Sequence, residues 1–166
     1  MVELCYFPVQ CLEESKYINS FLDLFAFFVG WFFFPVGFTV YFSTDPSPDF
    51  GVHGILRFNH IISNAANGYD VNTGIFTSPV SGLYVFHLTV MSVNGGHSVS
   101  LNIVKNGAAL DDAYANGGSE HNDQGASLVT VHLKRGEKVW AQQSYGATVV
   151  RGSFLTVFSG FMVQAD

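Results

Sequence analysis

Apolar and polar residues along this chain follow the alternating pattern of β-strands. Between residues 98 and 104, the apolar side chains of Val99, Leu101 and Ile103 alternate with polar ones, which predicts a strand with one solvated face. Clusters of Gly, Asn and Pro separate such segments, as turns require. No segment keeps a helical spacing of apolar residues for three turns. The pattern therefore predicts an antiparallel all-β sandwich of eight to ten strands.

Runs of β-forming residues bounded by turns define the individual strands. The longest run begins at Gly82, and a tight hairpin turn is predicted at Arg135 and Gly136. In chain order the predicted strands cover residues 36–43, 82–93, 98–104, 109–114, 127–133, 138–143, 148–151 and 154–163.

Three of these strands are apolar on both faces, over residues 36–42, 83–91 and 154–163. The core of a sandwich covers only one face of each sheet. If the three strands share a sheet, its second face needs another cover, and a partner subunit is the obvious candidate. The alternative is that the tail or the long loops of the same chain cover this face.

The first 34 residues differ in character from the rest of the chain. Residues 24–34 carry no charge, which suits the core of a signal peptide and is too short to span a bilayer. The preceding flank has several acidic residues and only Lys16, where a signal peptide has net positive charge. We rank a secretory leader with an imperfect gene start first, a mistranslated upstream segment second and a signal anchor third. The domain is expected over residues 35–166, with residues 1–34 as a leader or signal-like segment.

Charge, cysteine content and motifs exclude several classes of function. The formal net charge is −6, so the chain lacks the basic surface with which proteins bind nucleic acid or anionic lipid. Cys5 and Cys11 precede the domain; they are incidental or removed with a leader, or, less favoured, they form an interchain bridge. The sequence has no motif for nucleophilic, zinc-dependent or nucleotide-dependent catalysis, and its six histidines are scattered. We therefore do not expect an enzyme.

A series of aromatic residues, one Asn and one Gly at fixed separations organises the middle of the chain. Its members are Phe58, Asn64, Tyr69, Phe76, Gly82, Tyr84 and Phe86. This spacing resembles the signature of the C1q globular domain family, which usually has Phe or Tyr where this chain has Leu88. The hairpin at residues 134–140 and the strand at residues 158–163 are also similar to segments of that family, so the resemblance covers residues 35–163.

The resemblance implies a ten-strand jelly roll shared with the tumour necrosis factor fold, and assembly into a homotrimer. It also implies a secreted, extracellular protein that works by binding. No collagen-like Gly-X-Y run is present, which puts stalk-driven assembly in doubt. Among collagen-less members, the role we favour is lectin-like recognition of carbohydrate or microbial surfaces, a pattern-recognition function of innate immunity. The alternative is a cerebellin-like or cytokine-like ligand for a cell-surface receptor.

Two candidate sites lie near the polar loop at residues 116–124. Some C1q domains bind calcium with an acidic pair before this loop and a Gln within it, and Asp111, Asp112 and Gln124 match those positions with a gap. The alternative is that these are solubilising loop residues. Glycan binding needs polar loops with an aromatic side chain for stacking, and Tyr114 and Tyr145 are the candidates.

Overall fold

The computed structural model describes residues 35–93, 95, 97–118 and 122–166, and none of these forms a helix. Residues 1–34, to which the leader prediction and both cysteines belong, lie outside the described residues. The part of the chain that the structure describes has no helix able to span a membrane. The strands are β1 (Gly37–Tyr41), β2 (His60–Ala65), β3 (Tyr69–Asp70), β4 (Ile75–Thr77), β5 (Gly82–Met91), β6 (Val99–Lys105), β7 (Ala108–Ala115), β8 (Gln124–Leu133), β9 (Lys138–Gly146) and β10 (Val157–Ala165).

The ten strands form two antiparallel sheets of five. The first sheet has the order β2-β1-β10-β5-β8, and the second has the order β3-β4-β9-β6-β7. In the first sheet β10 lies between β1 and β5, and in the second sheet β9 lies between β4 and β6, so strands from the late part of the chain join earlier ones in both sheets. The all-β fold with ten strands is therefore confirmed.

Aromatic residues of the sequence series fill the space between the two sheets. Alternate residues of β5 point inward, and Tyr84 and Phe86 are completely buried. The ring of Phe38 in β1 lies 5.1 Å from the rings of both Tyr69 and Phe76, which belong to the second sheet. Contacts of this kind between rings add to the free energy gained by burial. The spacing of the aromatic residues thus reflects a shared core.

Asn64 and Gly82 have structural tasks of their own. The side-chain amide of Asn64 donates to the Tyr69 carbonyl at 2.8 Å and accepts from the Tyr69 backbone N–H at 3.0 Å. This pair of hydrogen bonds closes the turn between β2 and β3. Gly82 begins β5, where a side chain would meet the backbone carbonyl of Gln164.

Two strand predictions were wrong in part. Residues 148–151 form no strand, because their backbone pairs with the loop after β1: Phe50 donates to the Thr148 carbonyl, and Ser47 donates to that of Val150. The last strand begins at Val157, since positive φ angles at the residues just before it interrupt extended structure. Strands β2, β3 and β4 were not predicted.

The three strands that are apolar on both faces do share a sheet, as β1, β10 and β5 lie side by side. We call the outer surface of this first sheet the apolar face. Phe161 is 52% exposed there, and Leu128 of the neighbouring β8 is 61% exposed. The residues that define the apolar face are Leu83, Val85, Leu128, Val157 and Phe161. The core leaves this face open to a partner.

Candidate functional site

Tyr114 and Tyr145 lie on the outer surface of the second sheet, on either side of Ser100. In β6, Val99 and Leu101 point into the core, so Ser100 between them points outward. Ser100 pairs with Tyr114 of β7 in one direction and with Tyr145 of β9 in the other. Since adjacent strands lie about 4.8 Å apart, the two tyrosine Cα atoms are roughly 10 Å apart. The two tyrosines are 50% and 67% exposed.

The carboxylate of Asp112 lies between these tyrosines and is held by two hydroxyl groups. The hydroxyl of Ser100 donates to the carboxylate, within reach of both of its oxygens. Ser144 donates to Oδ1 from the other side at 3.1 Å. Ser144 reaches this point because the register of β9 shifts by one residue opposite Ser100, which makes Ser144 the extra residue of a bulge. We call Ser100, Asp112, Tyr114, Ser144 and Tyr145 the tyrosine patch.

Two glycines fix the backbone at the tyrosines. A Cβ on Gly125 of β8 would lie 2.0 Å from the carbonyl oxygen of Tyr114, so β8 and β7 can approach only with glycine at this position. Gly146 follows Tyr145 with a φ of +77°, and a Cβ there would lie 1.9 Å from the Ser98 carbonyl oxygen. The tyrosine patch is therefore held by the strands themselves.

The chemistry of the tyrosine patch suits a polar ligand with a flat apolar face. Exposed tyrosines offer a rigid apolar surface with a hydroxyl group at its edge. A carboxylate accepts about four hydrogen bonds, and the two serines leave part of this capacity free. A ring that carries several hydroxyl groups can stack on a tyrosine and donate to Asp112 at the same time.

Comparison with known proteins identifies the family. The model of the C1q domain matches residues 37–163. The chain belongs to the C1q domain family. The mouse protein "Complement C1q and tumor necrosis factor-related protein 9" is 36% identical over 140 residues, which are 78% of this chain and 38% of the relative. Its human counterpart, protein 9A, is 35% identical over the same shares. The chain thus spans about two fifths of these relatives.

Solved structures place this C1q domain in the jelly-roll fold. The globular domain of the zebrafish complement 1qA protein has a TM-score of 0.66 at 19% identity, covering 79% of this chain and 99% of that one. Murine APRIL has a TM-score of 0.61 at 11% identity, covering 78% and 99%. The Eiger TNF of S. frugiperda has a TM-score of 0.66 at 9% identity, covering 80% and 94%. The predicted C1q and tumour necrosis factor-like jelly roll is confirmed.

The three residues predicted to bind calcium do not meet at one point of the C1q domain. Asp111 and Asp112 are consecutive in β7 and point to opposite sides. Asp111 faces the first sheet, where the hydroxyl of Ser127 donates to it at 2.6 Å. Gln124 begins β8 and donates to the Leu155 carbonyl at 3.4 Å. Within the described ranges, no three His, Cys, Asp or Glu residues are grouped to hold a metal. The calcium site stays a prediction.

Sequence reasoning named the two tyrosines but missed the serines between them. Alternation in β6 indicated that Ser100 is on the solvated side of its strand. It did not indicate which residues of the adjacent strands lie beside Ser100. The position of Ser144 depends on the bulge in β9, which no turn residue or break in hydrophobicity marks. Asp112 was predicted as a calcium ligand, and the structure shows it hydrogen-bonded to the two serines of the tyrosine patch. The signal available in the sequence was the polar side of β6.

Proposed function

We propose that this chain is an extracellular binding protein that assembles as a trimer and recognises carbohydrate through the tyrosine patch. The observation that carries the proposal is the arrangement of Tyr114 and Tyr145 around the carboxylate of Asp112. All three side chains are exposed, and the serines keep the carboxylate in place before a ligand arrives. Preorganisation of this kind lowers the entropy cost of binding.

The sugar would contact the patch in two ways. Its apolar C–H face would pack on one tyrosine ring, while hydroxyl groups on its edge would donate to Asp112. Because the tyrosines of the patch are half or more exposed, affinity for a single sugar is expected to be low. Three copies of the patch in one trimer would raise the apparent affinity for a surface that repeats the sugar. This combination suits recognition of microbial surfaces.

The trimer is supported by the apolar face of the first sheet. Leu128 and Phe161 are more than half exposed on neighbouring parts of this face, and exposed apolar groups grouped in this way mark interaction surfaces. The face lies on the opposite side of the sandwich from the tyrosine patch. Burial of one face between subunits would therefore leave the other accessible on the outside of the assembly.

A glycan array probed with the full chain tests the proposal. The best glycan is then titrated against the unmodified chain, Tyr114→Ala, Tyr145→Ala and Tyr145→Phe. We expect each alanine variant to weaken binding by about tenfold, or roughly 1.4 kcal/mol, while the phenylalanine variant keeps the stacking surface. Val52→Ala is the control, since Val52 is exposed and outside the patch. No bound glycan, or equal binding by the alanine variants, would overturn the proposal.

The second candidate function is that of a cerebellin-like or cytokine-like ligand for a cell-surface receptor. The observation that favours it is that the curated relatives at 35–36% identity are named as tumor necrosis factor-related proteins. Binding to cells whose surface glycans have been removed enzymatically separates the two candidates. A protein receptor predicts that binding survives this treatment, and recognition of carbohydrate predicts that it is lost.

A further inference from the structure

A cleft of about 450 Å³ opens beside the connection between β1 and β2. Its walls come from the connection between β1 and β2, which contains no strand of its own. Small-molecule sites in proteins have volumes of about 300–1,000 Å³. The residues that line the cleft are Phe42, Pro48, Asp49, Phe50, Gly54, Ile55, Arg57 and Asn59.

The cleft has two walls that the rest of the domain holds in place. In the first wall, Leu56 and Phe58 are completely buried, so Ile55 and Arg57 point outward into the cleft. This wall is tied to β9 by the hydrogen bond from the Leu56 N–H to the Ala141 carbonyl at 2.9 Å. In the opposite wall, the Phe50 N–H donates to the loop before β10 at 3.0 Å. The cleft is therefore part of the folded domain.

Three polar side chains line the cleft, and two of them already form hydrogen bonds within the domain. Asn59 accepts from the Ser43 N–H at 2.8 Å and donates to its hydroxyl at 3.0 Å. The carboxylate of Asp49 accepts from the Gly51 N–H at 2.8 Å. That hydrogen bond, followed by one from the Thr148 hydroxyl, lowers the pKa of Asp49 and keeps it ionised.

Arg57 differs from these two residues. Its guanidinium group makes no hydrogen bond or ion pair with any residue in the described part of the chain. It stands beside the apolar surfaces of Ile55, Phe50 and Phe42. A cation with free donors next to an apolar wall is complementary to a molecule that has an anionic head and an apolar body. Arginine pairs with carboxylates through two parallel hydrogen bonds, which adds direction to the contact.

We propose that this cleft binds a small carboxylic acid with an apolar body, an acyl or aromatic acid, whose carboxylate pairs with Arg57. The apolar body lies against Phe42, Phe50 and Ile55. The negative charge of Asp49 at the rim disfavours a ligand with a second carboxylate and selects a single anionic head. This site is separate from the tyrosine patch and does not depend on recognition of carbohydrate.

Titration of the full chain with octanoate, followed by calorimetry and by chemical shifts of backbone amides near the cleft, tests the proposal. Octanamide has the same shape without the charge, and we expect it to bind about tenfold more weakly. Acetate has the head without the body, and each methylene beyond it should strengthen binding by about threefold until the cleft is full. Equal binding of octanoate and octanamide, or of octanoate and acetate, would contradict the proposal.

Arg57→Gln removes the charge and keeps most of the side chain. We expect it to abolish the preference for octanoate over octanamide and to leave the binding of octanamide unchanged. Arg135→Gln is the matched control, because Arg135 is exposed in the hairpin between β8 and β9, away from the cleft. If the control loses the preference to the same extent, or if neither variant does, the role assigned to Arg57 is wrong. A concentration of 10 millimolar is on the order of the dissociation constants of the weakest specific sites. If octanoate does not bind at this concentration, the proposed site does not exist.

Discussion

The two sheets of this domain share one core but have opposite outer surfaces. On the first sheet, Leu128 and Phe161 are more than half exposed, and Val85 lies between them on β5. On the second sheet, the corresponding surface carries Ser100 and Asp112. Most inner residues of both sheets are aliphatic or aromatic, so the core does not explain the difference. We propose that the outer surfaces differ because each contacts a different kind of partner.

The hydrogen bonds of the two outer surfaces lead to the same conclusion. The polar groups of the tyrosine patch bond to one another across β6, β7 and β9, so this surface is stable in water. The apolar face also contains hydrogen-bonded polar groups, such as Ser159 and Thr39 at 3.1 Å, but Leu128 and Phe161 remain exposed there, and their burial against a partner would be favourable. We therefore assign the apolar face to contact between subunits and the tyrosine patch to ligands.

The largest effect is expected from a charge in the centre of the apolar face. Val85 pairs with Phe161 on one side and with Thr130 on the other. Val85→Glu would place a carboxylate where a partner subunit excludes water, at a cost of several kcal/mol for each copy, on the order expected for an unpaired buried charge. We expect light scattering to show the mass falling from that of a trimer to that of a monomer.

Asn102→Glu is the control for this variant, because Asn102 is partly exposed on the outer surface of the second sheet. It adds the same charge to the same kind of strand, and the trimer should persist. A monomer for the unmodified chain at micromolar concentration would remove the basis of the comparison. So would a trimer that tolerates Val85→Glu.

The apolar face could be predicted from the sequence more fully than the tyrosine patch. The apolar face follows from β1, β5 and β10 alone, because a strand that is apolar on both sides must be covered twice. That the three strands are neighbours could not be predicted from local pattern, and only the structure shows it. Strand β2 escaped prediction because its residues are mostly exposed and its end, at Asn64, has the composition of a turn.

The tyrosine patch was less predictable, for a physical reason. Its members come from three strands, and their alignment depends on the register of β6 with both neighbours. A shift of one residue turns a side chain to the opposite surface of a sheet. The bulge at Ser144 is such a shift, and local sequence does not reveal it. The cleft at Arg57 was missed because loop walls are set by distant hydrogen bonds.

The next largest effect concerns the junction between the sheets, where β8 passes close to β7. Gly125→Ala would bring a methyl group into the backbone of Tyr114, so the strands must separate. We expect a loss of about 2–3 kcal/mol of stability, or roughly 10 °C in melting temperature, with weaker binding at the tyrosine patch. The mass of the trimer should not change. Gly136→Ala is the control, since open space surrounds that position and only its positive φ of 87° adds cost.

A smaller effect is expected from calcium. If the ion binds the assembled domain, it should raise the melting temperature by about 1–3 °C at millimolar concentration, because it stabilises the folded state by mass action. Since Asp111 and Asp112 point to opposite sides of β7, one ion within a subunit can use only one of them. Asp111→Asn and Asp112→Asn should therefore differ, and the variant that abolishes the shift identifies the ligand. Identical melting curves with calcium and with EDTA would show that the site does not exist.

The smallest effect is expected from deletion of residues 1–34. The ten strands of the described residues lie between Gly37 and Ala165, and we expect both sheets to form without the deleted segment. We expect the melting temperature to change by less than about 1 °C and the trimer to persist, because in the proposed trimer another subunit covers the apolar face. A loss of several degrees in melting temperature would show instead that residues 1–34 pack on the domain. Combining the deletion with Val85→Glu distinguishes coverage of the apolar face by a partner subunit from coverage by residues 1–34. If a partner subunit covers the face, the added charge should still convert the shortened trimer into a monomer. If only residues 1–34 cover it, the face is already exposed after the deletion, and the added carboxylate should change neither mass nor stability.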